Sequence, residues 1–97
     1  MNIVKAIKSD IIKKKLPNGL FEVKQESTDT NIKAHWFEDE NGILQGQYMM
    51  WWDNGSLYKC YFLKDNLIHG EYKMWSSTEK LILHKIYYYG KVIENIL

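Results

Sequence analysis

Residues 46–51, Gly-Gln-Tyr-Met-Met-Trp, return 24 positions later as Gly-Glu-Tyr-Lys-Met-Trp at 70–75, and this recurrence limits the folds open to the chain. Four of six residues match, and the register continues beyond them. Leu57 falls on Leu81, Tyr58 on Ile82, Phe62 on Ile86 and Asn66 on Gly90, while Gly42 to Gly46 fall on Asn66 to Gly70. Ala34, Trp36 and Phe37 lie 24 residues before Tyr58, Cys60 and Tyr61 and indicate an earlier, degenerate copy. Self-similarity at such a period is the signature of a stacked supersecondary unit.

The unit is a β-hairpin. Turn-forming residues punctuate the chain at Pro17-Asn18-Gly19, Asn41-Gly42, Asp53-Asn54-Gly55, Asp65-Asn66 and Gly90-Lys91, with Ser76-Ser77-Thr78 as a weaker break. Such residues accept the backbone angles of tight reversals. The segments between them predict strands at about 20–26, 31–38, 43–52, 56–64, 67–75, 80–89 and 91–96, hence a mainly β, antiparallel hairpin meander. Seven Tyr, four Trp and three Phe, all after Leu20, support strands.

An even period returns equivalent residues to the same face of a sheet. Parity then places Leu44, Gly46, Tyr48, Met50, Tyr58, Cys60 and Phe62 on one face with Ile68, Gly70, Tyr72, Met74, Ile82, His84 and Ile86. That face is the candidate core. The other carries Gln45, Gln47, Lys59, Glu71, Lys73 and Lys85, mixed with Ile43, Trp51, Leu57, Trp75 and Leu81.

Residues 1–16 form a Lys-rich segment with a balance of +4, and residues 17–97, the β-repeat domain, carry −3. Ile3, Val4, Ile7 and Ile11 fall within one helical arc, so a short N-terminal helix at about 2–9 is one reading; a first strand at 11–16, paired with 20–26, is the other. All thirteen basic residues are Lys, which disfavours specific nucleic-acid recognition, where Arg supplies the planar fork. The single Cys excludes an intrachain disulfide, and no apolar run approaches the roughly 20 residues of a membrane span. A cytoplasmic protein is expected.

The pattern G-x-Y-x-x-W-x-x-N-G-x-L in residues 46–57, followed by H-G-x-Y-x-x-W in 69–75, resembles the variant MORN repeats, including antitoxin-like bacterial proteins and proteins of large DNA viruses. The resemblance covers roughly residues 31–92. It implies an elongated β-hairpin repeat used in protein contact or scaffolding, and binding of membrane phospholipid has been proposed for the family generally. The chain lacks the family's Y-x-G-x-W core, and Glu79 replaces the turn glycine expected from Gly55. The family offers no catalytic residues to transfer.

Of the groups capable of chemistry, His35, His69 and His84 have spacings that match no usual metal motif. His69 sits beside the repeated glycine, where a turn-supporting role is expected. Cys60 and His84 share a repeat column, with Trp36 as its third member, and read as packing residues two strands apart. Asp39, Glu40, Asp53 and Asp65 fall at turns. No catalytic, cofactor-binding or metal-ligating residue is assigned, no cofactor is expected, and the chain reads as a non-enzymatic module.

Trp51, Trp75, Trp52, Tyr61 and Tyr87 are the candidate contact surface, because Trp and Tyr dominate interface hot spots. The leading expectation is a protein-interaction or scaffolding module with another protein as partner, including an antitoxin-like protein that neutralises a toxic partner. Self-association through an exposed edge is a further expectation. A membrane-surface adaptor, gripping anionic lipid through the Lys-rich N-terminus, is the alternative.

Overall fold

The computed structural model describes residues 9–27 and 33–97. These form eight strands, β1 (Ser9–Lys15), β2 (Phe21–Ser27), β3 (Lys33–Glu38), β4 (Gly46–Trp51), β5 (Leu57–Lys64), β6 (Leu67–Trp75), β7 (Leu81–Tyr88) and β8 (Lys91–Asn95). They make one antiparallel sheet in sequence order, the expected meander. The predicted strand at 43–52 begins only at Gly46, because Leu44 makes an isolated bridge to Glu38. The first-strand reading of the N-terminus holds, with β1 paired to β2 through Pro17-Asn18-Gly19. The alternative helix at 2–9 lies, apart from Ser9, outside the described residues.

Two turn chemistries recur along the sheet. In the first, a β-turn ends on a left-handed residue: Leu16 donates to the Leu20 carbonyl and Gly19 to that of Leu16, a pattern repeated by Asp39, Gly42 and Ile43, by Trp52, Gly55 and Ser56, and by Ser76, Glu79 and Lys80. The left-handed residue is glycine in three of these turns and Glu79, with φ of 70°, in the fourth. In the second, both central residues have positive φ: Asp65 (52°) with Asn66 (70°), and Tyr89 (44°) with Gly90 (88°). Such two-residue loops match the twist of the strands they join.

Register corrects the expected face composition. Tyr48 lies opposite Tyr61 and Met49 opposite Cys60, so even-numbered residues of β4 share a face with odd-numbered residues of β5. Equivalence at 24 residues within the repeat is preserved, since Tyr48 and Tyr72 both face Tyr61. Parity does not carry across the hairpin as expected, because turn length fixes the pairing. Cys60 and Phe62 therefore leave the face of Tyr48 and Met50, and Lys59, Tyr61 and Leu63 replace them.

One face, termed the ladder face, carries a row of aromatic rings across five strands. Trp36, Tyr48, Tyr61, Tyr72 and Tyr87 follow one another at centroid distances of 5.2, 5.1, 4.9 and 5.7 Å. Offset aromatic pairs contribute about 0.5–1.5 kcal/mol each beyond burial. Val23, wholly buried, continues the row opposite Trp36, and Ala34 is buried beside it. Glu38, also buried, meets the ammonium of Lys13 at 2.7 Å. Packing on this face raises the phenol of Tyr61 to about 12, chiefly through burial and then through the neighbouring Tyr48 and Tyr72. Burial raises Tyr48 as well.

Candidate functional site

The opposite face carries a line of chemistry-bearing side chains. Lys24, His35, Met49, Cys60, Lys73 and His84 lie opposite one another on successive strands from β2 to β7. This histidine face corrects the expected column: Cys60 and His84 share a row, but its third member is His35 rather than Trp36, which belongs to the aromatic ladder. The first copy of the repeat is thus offset by 25 residues, with Trp36 equivalent to Tyr61 and His35 to Cys60.

Each copy also contains a diagonal polar pair separated by 13 residues, which sequence reading missed. His35 Nε2 lies 2.9 Å from Glu22 Oε2, Gln47 donates its side-chain amide to Cys60 Sγ at 3.4 Å, and His84 Nε2 lies 3.3 Å from Glu71 Oε2. The shared separation and the steps of 25 and 24 were the available signal. The His35 hydrogen bond holds the Glu22 carboxyl below the usual carboxylate range, with the charges of Lys24, His35 and Lys14 acting in the same direction. Cys60 and His84 have separate partners, and Lys73 stands between them in register. Among the described residues, no group of three His, Cys, Asp or Glu side chains is arranged to hold a metal ion.

His69 supports a turn. Its Nδ1 accepts the backbone N–H of Tyr89 at 3.1 Å, and one repeat earlier Gln45 Oε1 accepts that of Asp65 at 3.2 Å. Two different side chains fill the same acceptor role.

The five candidate contact residues do not form one stripe. Tyr61 and Tyr87 belong to the ladder face. Trp51 and Trp75 lie on the histidine face at the edge bearing turns 52–56 and 76–80, termed the lower edge, opposite Leu57 and Leu81. Both are half-buried, and each marks the same irregularity in the sheet, a bulge on the partner strand. Trp52, beyond the end of β4, packs on Tyr58 at a centroid distance of 4.2 Å and donates its indole N–H to the Trp75 carbonyl at 3.1 Å. Asn54 reaches the Ser77 carbonyl at 2.7 Å, so the two lower turns are fastened together.

Two clefts open along this edge. The larger, 610 Å³, is walled by Trp51 and Trp52, with Lys33, Asp53 and Gly55 at its lower end and Glu22, Lys24, Glu26 and His35 along its side. The smaller, 430 Å³, is lined by Trp75 with Ser56, Leu57 and Glu79. Trp51 and Gly55 in the first correspond, at 24 residues, to Trp75 and Glu79 in the second. The repeat therefore reproduces a cleft as well as strands.

The lysines of β1 are not one patch: register places Lys13 and Lys15 on the ladder face and Lys14 on the histidine face. Among the described residues, no helix is long and apolar enough to cross a membrane. Comparison of the chain with protein-family models, curated proteins and solved structures finds no match.

Proposed function

We propose that the chain is a non-enzymatic protein-interaction module of MORN-like repeats, acting through the lower edge of its histidine face. The observation that carries this reading is the recurrence of a tryptophan-walled cleft at the repeat spacing. Side chains that only close a core have no reason to leave matched openings, whereas matched openings suit a partner that contacts two repeats at once. Trp is also the residue that most often dominates interface energy, and here it stands beside polar groups that rim a contact.

Site-specific photo-crosslinking tests the reading. A photoreactive side chain at Ser56 or Ser77, on the lower edge, is expected to yield a discrete adduct with a native partner in the source cell. The same group at Asn18 or Asn41, in turns on the upper edge, is expected to yield none. Adducts only from the upper edge contradict the proposal.

A further inference from the structure

Resting on that reading, we infer that the partner contributes an extended, basic segment that places Lys or Arg side chains, three residues apart, in the Trp51 and Trp75 clefts. In the first cleft, the three carboxylates of Glu22, Glu26 and Asp53 outnumber the two ammonium groups of Lys24 and Lys33. In the second, Glu79 is the sole charged lining residue. Among the described residues, neither Asp53 nor Glu79 takes part in an ion pair. An indole wall beside a free carboxylate suits a basic side chain, whose methylene stem lies on the ring while its cation meets both the π face and the carboxylate.

Glu79 strengthens this assignment. It holds a left-handed backbone, φ 70°, at the position that Gly19, Gly42 and Gly55 fill in the other turns of the same type. A carboxylate held there on a strained backbone, lining a cleft, points to a use for the carboxylate.

Spacing sets the conformation of the segment. Trp51 and Trp75 lie on β4 and β6, two strands apart, or about 9.5 Å by ordinary strand spacing. Three residues of polyproline II chain rise about 9.3 Å. Trp52, packed on Tyr58 and bonded to the Trp75 carbonyl, stands between the clefts. Side chains can enter separately on either side of it, whereas a helix of about 10 Å diameter needs one continuous trough.

The test is an NMR titration of the full chain, read at the indole N–H signals of its four tryptophans and assigned by single Trp→Phe variants. Three capped proline-rich octapeptides serve as probes: two Lys at i and i+3, two Leu at those positions, and two adjacent Lys. The first is expected to shift the Trp51 and Trp75 signals, to leave that of Trp36 on the ladder face in place, and to bind at least fivefold more tightly than the others. Asp53→Asn with Glu79→Gln is expected to weaken it about tenfold, two ion pairs being lost. Equal or tighter binding of the Leu peptide overturns the basic class, and equal binding of the adjacent-Lys peptide overturns the spacing. Binding by none, or shifts on concentrating the chain without peptide, which mark a second copy as occupant, overturns the inference. The crosslinking experiment judges the interaction reading independently of all these outcomes.

Discussion

The indole N–H of Trp52 donates to the backbone carbonyl of Trp75 at 3.1 Å, fastening the end of β4 to the strand that carries the equivalent of Trp51 one repeat later. This bond, with the Asn54 contact to Ser77, makes the lower edge a continuous structure rather than a row of independent turns. Trp52→Phe keeps most of the packing on Tyr58 and removes the donor. Its expected cost is about 1 kcal/mol, near the usual net worth of a hydrogen bond. Urea denaturation checks this, and an unchanged midpoint contradicts it.

Backbone strain gives a second prediction of opposite sign. Glu79→Gly relieves a left-handed non-glycine residue and should stabilise the fold by about 0.5–1 kcal/mol, after allowance for the greater freedom of glycine in the unfolded chain. Gly55→Ala should destabilise by about 1 kcal/mol, and solely through φ, since nothing lies within 4 Å of the added carbon. Paired thermal melts of the two variants test whether the shared turn geometry controls both signs.

Acid should act through Glu22. Its folded-state pKa is depressed, so its contribution is complete above the unfolded value and is lost as pH falls through the folded one. Between about pH 5 and pH 3 the native chain should lose more stability than Glu22→Gln. Parallel acid dependences of the urea midpoint contradict the assignment.

Base should act through the ladder. The phenol of Tyr61 is raised to about 12, so its stabilising effect is complete below the unfolded value, about 10, and is lost as pH rises through the folded one. Absorbance at the phenolate band should show a late-ionising tyrosine that disappears in Tyr61→Phe, and that variant should lose less stability between pH 10 and 12.

The meander was legible because its turns are written in residues with few alternatives. Asp53-Asn54-Gly55 and Asp65-Asn66 fix two reversals directly, and Gly46 and Gly70 mark one position in successive copies. The facing of side chains was less legible, because it depends on how each hairpin closes. Trp51 pairs with Leu57 although Met50 pairs with Lys59, leaving Tyr58 as an extra residue in β5. One such residue shifts the register and changes which side chains meet. The step of 25 that moves His35 into the Cys60 row is the same kind of displacement. Trp51 and Trp75 were legible as candidates, but their clefts were not, since these depend on Trp52 crossing to the next repeat and on Gly55 and Glu79 turning the chain beneath them. That Tyr61 and Tyr87 lie on the face opposite Trp51 and Trp75 was not legible, because the aromatic ladder could not be seen without the register.

The most direct test of the lower edge is affinity capture from source-cell lysate with the native chain, with Trp51→Ala plus Trp75→Ala, and with Tyr48→Phe plus Tyr72→Phe on the ladder face, each first shown by circular dichroism to be folded. A specific partner is expected to be retained by the native chain and the ladder-face variant and lost from the tryptophan variant. Retention by the tryptophan variant together with loss from the ladder-face variant contradicts it.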